Sequence, residues 1–152
     1  MARDVLVVGA GPVGLTMALD LTRRGVPCRI VDRLAEPLPY CRAIGVTPRT
    51  LEVWEAMDLS DAMIGSGLWL RGMRSVIAGG PAQDAVRPEL PIPYAELGIP
   101  QYETEAILTR RLMLHGVMPE RGMALTALSQ DAGGVAVTLS GKAGVEEARF
   151  AY

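Results

Sequence analysis

Residues 5–14 have the sequence Val-Leu-Val-Val-Gly-Ala-Gly-Pro-Val-Gly, and this stretch decides the fold. Val5 to Val8 form a short apolar run, rich in β-branched residues, which suits a strand buried on both faces of a parallel sheet. From Gly11 to Arg24 the apolar residues recur at helical spacing, and Gly25 is placed as a C-terminal stop. Cys28 to Val31 then predicts a second strand. Strand, glycine turn, helix and strand together predict a βαβ unit.

The glycine turn predicts a binding site for a dinucleotide. The first glycine permits a tight turn, the second lets the backbone approach a pyrophosphate, and the third lets the helix pack closely on the sheet. The helix N-terminus presents free N–H groups and a partial positive charge to the phosphates. The alternative is a tight strand-to-helix turn without a ligand. The predicted phosphate-binding residues are Gly9, Gly11, Pro12, Val13 and Gly14.

Asp32 follows the second strand, 18 residues after the third glycine. At this spacing a carboxylate can accept hydrogen bonds from both hydroxyls of a ribose. The same carboxylate would repel a 2′-phosphate, which disfavours NADP at this site. A solvated acid at the end of a strand is the alternative interpretation. FAD and NAD both fit the turn and Asp32.

The middle of the chain predicts two helices followed by an irregular stretch. Thr47 is placed to cap a helix that begins at Pro48 and runs to about Met57. A second, short helix is predicted from Ser60 to near Gly65. Residues 68–101 are rich in proline and look irregular, with short strands expected around residues 68–77.

The last part of the chain predicts one helix and an antiparallel sheet. Thr104 is placed to cap the helix, and Gly116 lies just past its end. Residues 123–129, 135–139 and 145–152 are strand candidates separated by glycine-containing turns. The middle one alternates apolar and small or polar residues, as a strand with one buried face does. These segments predict a three-stranded antiparallel β-meander.

Composition places the chain among soluble proteins with one modest core. It has 152 residues, of which 49% are apolar and 21% charged, and a formal net charge of −2. A net charge this close to zero does not predict binding to nucleic acid or to an anionic membrane. No apolar run approaches the roughly 20 residues that a membrane span needs, and the first residues lack the layout of a signal peptide. We therefore expect a cytoplasmic protein, with Cys28 and Cys41 as free thiols.

Three linked blocks of sequence resemble one enzyme family. The glycine turn with Asp32-Arg33 is the first, and residues 41–52 (Cys-Arg-Ala-Ile-Gly-Val-Thr-Pro-Arg-Thr-Leu-Glu) are the second. The third is Ile-Pro-Gln-Tyr-Glu-Thr-Glu at residues 99–105. Their order and spacing resemble the class A FAD-dependent aromatic monooxygenases, which are para-hydroxybenzoate hydroxylase-like, with the phenol and polyketide hydroxylases the nearest branch. The resemblance spans essentially the whole chain and implies an α/β, Rossmann-like FAD-binding fold that is incomplete here.

The resemblance implies roles for residues beyond the glycine turn. Asp32 would hold the adenosine ribose, Arg33 would lie along the adenosine, and Leu125 would touch the adenine through its backbone. Arg42 resembles the arginine that reaches the pyrophosphate and ribityl region of FAD, and its planar donors suit phosphate oxygens. Ala43 and the residues up to Val46 resemble the backbone stretch that passes the flavin.

Gln101 matches a glutamine that hydrogen-bonds the ribityl chain in that family. Ordinary surface or pre-helix positions remain the alternative for Arg42 and Gln101. Arg49 is expected to be a helix-surface residue or a structural ion-pair residue rather than a ligand. His115, near a helix C-terminus, suits the helix dipole, and no cluster of histidines and cysteines predicts a metal site.

The resemblance also implies an activity. In this family NAD(P)H reduces the flavin, O₂ forms a flavin C4a-hydroperoxide, and that species hydroxylates an aromatic or polyketide substrate. The cofactor performs this chemistry, so no catalytic residue is expected in this segment. Alternatives are another FAD oxidoreductase of the same fold, such as a halogenase or reductase, or a flavoprotein scaffold or cyclase that uses FAD without redox turnover.

Family members are much longer than this chain. We therefore interpret residues 1–152 as the N-terminal portion of an FAD-binding domain, with residues 68–100 entering the substrate-domain region. The remainder of the FAD domain and the substrate domain are absent. The expected partners are the C-terminal part of the same enzyme, a small aromatic substrate and O₂, with no nucleic acid and no membrane.

Overall fold

The chain folds into two units. A computed structural model describes residues 4–86, 88 and 91–152. The first unit comprises the residues up to Tyr40 together with Thr104–Tyr152, and the second unit comprises Cys41–Glu103. In chain order the elements are β1 (Val5–Val8), α1 (Pro12–Arg23), β2 (Cys28–Asp32), β3 (Gly45–Val46), α2 (Pro48–Glu55), α3 (Ser60–Gly65), β4 (Leu68–Trp69), β5 (Gly72–Ser75), β6 (Gln83–Val86), β7 (Leu97–Gly98), α4 (Gln101–Leu114), β8 (Glu120–Arg121), β9 (Ala124–Asp131), β10 (Gly134–Gly141) and β11 (Gly144–Phe150).

The predicted βαβ unit is confirmed in the first unit. β1 pairs in parallel with β2, from Val5 opposite Cys28 to Val8 opposite Val31. On the other side of β2 lies β8, also parallel, so the strand order is β1-β2-β8. α1 buries its apolar face, with Leu15, Ala18 and Leu19 at most 1% exposed. β8 was not predicted, because two charged residues carry no strand pattern.

Gly25 ends α1 as predicted. Its φ of +74° lies in the left-handed region, which glycine adopts without steric cost. The amide of Val26 donates to the carbonyl of Leu21 at 3.0 Å, and the amide of Gly25 donates to Thr22 at 3.0 Å. These two bonds satisfy carbonyl groups that the end of the helix would otherwise leave unpaired.

The predicted meander is confirmed, with its first two strands longer and its third strand one residue shorter than expected. β10 pairs antiparallel with both neighbours in the order β11-β10-β9. Its alternating residues Val137 and Leu139 are 5% and 0% exposed. They form a buried cluster with Phe150 and with Val31 of the parallel sheet, and partly buried side chains such as Leu6 and Leu125 pack against it. The meander therefore covers one face of the parallel sheet.

The second unit contains the two predicted middle helices. The Thr47 hydroxyl accepts a hydrogen bond from the amide of Thr50 at 3.4 Å, which confirms the predicted cap of α2. α3 has the predicted bounds. β7 lies between β3 and β4, antiparallel to each, and β5 pairs antiparallel with β6. β3, β6 and β7 were not predicted.

The predicted cap at Thr104 is wrong. α4 begins at Gln101, and the amide of Glu103 donates to the carbonyl of Pro100 at 3.0 Å. Because the carbonyl of Pro100 already accepts this first-turn bond, the helix starts four residues earlier than a cap at Thr104 predicts. Thr104 is instead 4% exposed inside the helix. Gly116, with a φ of +78°, follows the last turn as predicted.

Two further observations concern the cysteines and the lengths of the helices. Cys28 and Cys41 are both free thiols, the first buried and the second exposed, as predicted. Within the described residues, the helices are too short or too polar to cross a membrane.

Candidate dinucleotide-binding site

The turn between β1 and α1 requires glycine at two positions for internal reasons. Gly9 has a φ of +102°, in the left-handed region, which lets the chain leave β1 and turn sharply. A Cβ atom on Gly14 would lie 1.9 Å from the carbonyl oxygen of Gly9 and 3.4 Å from Cγ1 of Val7. The first turn of α1 is thus packed directly onto the strand and its turn.

Gly11 differs, because nothing in the chain demands a glycine there. Apart from Gly11 and its two neighbours in the chain, no atom of the described chain lies within 4 Å of a Cβ built on Gly11, and its φ of −81° is ordinary. Gly11 is the N-cap of α1 and provides no capping side chain. The space beside it is open to an outside group.

The N-terminus of α1 is electrostatically suited to an anion. Pro12 occupies the first turn, which contains no acidic side chain. The amide of Leu15 donates to Gly11, which leaves the earlier amides at the open end of the helix. Val13 is 84% exposed on this turn. Unpaired N–H groups and the helix dipole together fit a pyrophosphate such as that of FAD.

Asp32 lies at the end of β2 and is 9% exposed. One carboxylate oxygen accepts a hydrogen bond from the amide of Ala10 at 2.7 Å, and the other accepts from the amide of Leu34 at 2.8 Å. The carboxylate thus joins the glycine turn to the exit of β2. A carboxylate has about four acceptor positions, so each oxygen can still accept one ribose hydroxyl. The spacing between the glycine turn and Asp32 predicts only the ribose contact. The two backbone amides that bind the carboxylate leave no pattern in the sequence.

The start of β9 lies beside Asp32. The amide of Met123 donates to the carbonyl of Asp32 at 2.9 Å, and the amide of Gly122 donates to that of Leu34 at 3.0 Å. Leu125 lies two residues further along, opposite Leu139 in the register, with its side chain packed on the core cluster. Arg33 is exposed. The structure therefore brings the turn, Asp32 and the strand of Leu125 into one unit.

A charged cluster lies on the strand that ends at Asp32. The guanidinium of Arg29 donates to Glu120 through Nε at 2.9 Å and Nη2 at 2.6 Å, and to Glu146 through Nη2 at 2.9 Å. The hydrogen bonds that Arg29 donates, to Glu146 first and then to Glu120, raise the pKa of Arg29 above its ordinary value. One side chain thus ties β2 to β8 and β11. The sequence signal for this cluster is the lone arginine inside the otherwise apolar run Cys-Arg-Ile-Val.

The second unit brings the other two sequence blocks together. The amide of Ile99 donates to the carbonyl of Ile44 at 2.8 Å, and β3 pairs with β7 from Gly45 opposite Gly98. The stretch that begins with Arg42 and Ala43, both exposed, therefore runs beside the stretch that leads into Gln101. Gln101 is half-buried and is the first residue of α4.

Two other sequence expectations concern polar side chains. Arg49 pairs with Glu52 at 2.7 Å on the exposed surface of α2, as predicted. Over residues 4–86, 88 and 91–152, no group of three or more His, Cys, Asp and Glu side chains is placed to hold a metal ion.

A parallel βαβ unit with an open glycine turn and an acid at the end of its second strand defines a dinucleotide-binding domain. Residues 2–151 match the family model described as FAD binding domain. The chain therefore belongs to this family of FAD-binding domains.

Known proteins similar to this chain are monooxygenases and hydroxylases. The 12-dehydrotetracycline 5-monooxygenase/anhydrotetracycline 6-monooxygenase of Streptomyces rimosus is 39% identical over 152 residues, which are 100% of this chain and 30% of that protein. The solved anhydrotetracycline hydroxylase of Streptomyces rimosus superposes with a TM-score of 0.81 at 36% identity, over 100% of this chain and 31% of that one. Aklavinone-11 hydroxylase has been solved in a ternary complex with FAD and aklavinone. It superposes with a TM-score of 0.85 at 28% identity, over 99% of this chain and 32% of that one. The chain thus spans about 30% of the length of the relatives that it matches.

Proposed function

We propose that this chain binds the ADP and ribityl portion of FAD. The glycine turn holds the pyrophosphate, Asp32 the adenosine ribose, and Arg33 and the Leu125 backbone the rest of the adenosine. The observation that carries the proposal is the empty space beside Gly11 at the uncapped N-terminus of α1. The residues proposed to bind FAD are Gly9, Gly11, Pro12, Val13, Gly14, Asp32, Arg33, Arg42, Ala43, Gln101 and Leu125.

Arg42, Ala43 and Gln101 belong, in this proposal, to the flavin side of the cofactor. The pairing of Ile44 with Ile99 supports a common role, because it aligns the two stretches that contain these residues. The guanidinium of Arg42 is exposed and suited to a phosphate. The amide of Gln101 can donate to and accept from a polyol.

The complete protein, we propose, is a cytoplasmic FAD-dependent monooxygenase that hydroxylates an aromatic or polyketide substrate with NAD(P)H and O₂. The names of the related monooxygenases and the match across 100% of this chain support the proposal. FAD, when bound, supplies the redox chemistry. The residues of this chain bind and orient it, and none of them is proposed to react with substrate.

Residues 68–100, in the same proposal, lie toward the substrate-binding part of the enzyme, and a C-terminal part supplies the remainder of both regions. Exposure of β5 and β6 along their whole length supports this placement. An isolated two-stranded hairpin is marginally stable in water. A covering partner would supply the burial that the hairpin lacks here.

The test is NAD(P)H oxidation by the complete protein with and without a phenolic substrate. We expect a yellow protein whose NAD(P)H oxidation is stimulated by substrate, with one oxygen atom from O₂ incorporated into the product. A yellow protein that does not react with NAD(P)H would contradict the proposal and favour a flavoprotein scaffold. Oxidation without oxygen transfer would favour another FAD oxidoreductase.

A further inference from the structure

Arg121 is the last residue of β8, the strand that lies beside β2 in the parallel sheet. In the register of the two strands, Arg121 lies directly beside Asp32, the residue proposed to bind the adenosine ribose. Gly122 follows with a φ of +69°, and its amide donates to the carbonyl of Leu34 at 3.0 Å. The strand therefore ends at Arg121, at the same edge of the sheet as the glycine turn.

The side chain of Arg121 lies on the same face of the sheet as that of Asp32. Glu120, one residue earlier, accepts hydrogen bonds from Arg29 at 2.9 and 2.6 Å, on the face that the meander covers. Because successive side chains of a strand point to opposite faces, Arg121 points to the face that carries α1. Asp32 lies on that face too, since its carboxylate accepts a hydrogen bond from the amide of Ala10 in the turn before α1.

The guanidinium of Arg121 is half-buried but has no partner. Among the residues that the structure describes, none forms a hydrogen bond or an ion pair with this side chain. The carboxylate of Asp32 is turned instead to the amides of Ala10 and Leu34. A planar cation with its donors and its flat face free thus stands beside the proposed ribose site.

The order of the strands defines the direction in which an adenosine would lie. The pyrophosphate is proposed to lie on the turn after β1, and the ribose hydroxyls on Asp32 at the end of β2. The base is joined to the ribose on the side away from the 5′-phosphate, so it continues in the direction from β1 to β2. The next strand in that direction is β8, in the order β1-β2-β8, and Arg121 lies at its end.

We infer that Arg121 binds the adenine base of FAD by stacking its planar guanidinium on the ring. This inference rests on the proposed function, which places FAD at the glycine turn. A guanidinium stacks on aromatic faces and is more weakly hydrated than an ammonium, and the attraction grows where water is excluded. Arg121 thus contributes to base recognition beside Arg33 and the backbone of Leu125, which are already proposed for the adenosine.

Two competitors of FAD separate the base from the phosphates in the complete protein without its cofactor. ADP contains the adenine, whereas inorganic pyrophosphate contains only the anion that the turn is proposed to hold. We expect Arg121→Met to raise the Kd for FAD and for ADP about fivefold or more, and to leave that for pyrophosphate nearly unchanged. Gly11→Ala should weaken both competitors, because its methyl group would occupy the space of the phosphates.

Arg121→Lys distinguishes stacking from simple attraction of an anion. Lysine keeps the positive charge but lacks the planar group, so we expect the Kd for ADP to stay raised rather than return to the wild-type value. The matched control is Arg110→Met, at an exposed arginine of α4, which should leave both affinities unchanged. Thermal unfolding of each variant without FAD separates a loss of binding from a loss of folding.

Three results would overturn the inference: wild-type affinity of Arg121→Met for ADP, recovery of that affinity in Arg121→Lys, or an equal loss of affinity for ADP and pyrophosphate. If Gly11→Ala still weakens FAD binding in the same experiments, the proposed function stands without Arg121. A wild-type protein that binds neither FAD nor ADP would contradict the proposed function itself, and the inference with it.

Discussion

Asp32 has two structural partners before any ligand is considered. Its carboxylate accepts hydrogen bonds from the amides of Ala10 and Leu34 at 2.7 and 2.8 Å. The residue is only 9% exposed to water. Hydrogen bonds to a charged group are stronger than neutral ones. The residue proposed to bind the ribose therefore also holds the glycine turn in place.

Asp32→Asn tests this double role. An asparagine side chain has one acceptor oxygen, so one of the two backbone amides loses its partner. We expect the free energy of unfolding without FAD to fall by about 1–3 kcal/mol, and FAD affinity to fall as well. Chemical denaturation and FAD titration measure the two effects. Unchanged stability of the apoprotein would show that the carboxylate does not organise the turn.

Gly14→Ala tests the contact between α1 and the turn. The new Cβ would lie 1.9 Å from the carbonyl oxygen of Gly9, which cannot move without disturbing the turn. We expect a loss of stability of about 1–3 kcal/mol, typical of overpacking, measured by denaturation. Gly65→Ala is the matched control, because its Cβ would meet no atom within 4 Å outside its chain neighbours and the backbone of its own helix. Equal effects of the two substitutions would contradict the packing argument.

At the scale of elements, Arg29 connects strands that are distant in sequence. Its side chain is 10% exposed, and its partners Glu120 and Glu146 are 35% and 43% exposed. The contacts of Arg29 with Glu120 and Glu146 join β2 to its neighbour β8 in the parallel sheet and to β11 of the meander. Partial exposure of the carboxylates weakens the electrostatic gain.

Arg29→Met is expected to lower the free energy of unfolding by about 1–3 kcal/mol, because two carboxylates lose a nearly buried partner. The control is Arg49→Met, which removes a pair whose arginine is 81% exposed, with an expected effect below about 1 kcal/mol. Urea denaturation measures the free energy of unfolding of both variants. A cost at Arg29 no larger than that at Arg49 would mean that the cluster does not join the strands.

The sequence predicted the elements whose signals are local. β1, α1 and β2 follow from apolar spacing and glycine positions, and α2 follows from Thr47 and Pro48. β8 escaped prediction, because Glu120 and Arg121 become a strand only by pairing with β2. The start of α4 was misplaced, because the first-turn partner of Glu103 is a backbone carbonyl, that of Pro100. Similarly, spacing predicted Asp32 as a ligand but not as the residue that organises the turn.

At the scale of the whole molecule, the chain is a family member that spans about 30% of its relatives. The glycine turn, Asp32 and the strand of Leu125 lie in the first unit, while Arg42, Ala43 and Gln101 lie in the second. The central claim is that the turn accepts the pyrophosphate of FAD. This claim requires that glycine at position 11 leaves room for the ligand and is not needed for the packing of the chain itself.

The most direct test is FAD binding by Gly11→Ala in the complete protein. Apart from its two neighbours in the chain, the added methyl group meets no atom of the described chain within 4 Å, so stability without FAD should fall only by the cost of alanine at an N-cap, about 1 kcal/mol. It would occupy the space of the pyrophosphate, and we expect the Kd for FAD to rise about tenfold or more, which is about 1.4 kcal/mol. An unchanged Kd would contradict the claim that FAD docks its pyrophosphate on this turn.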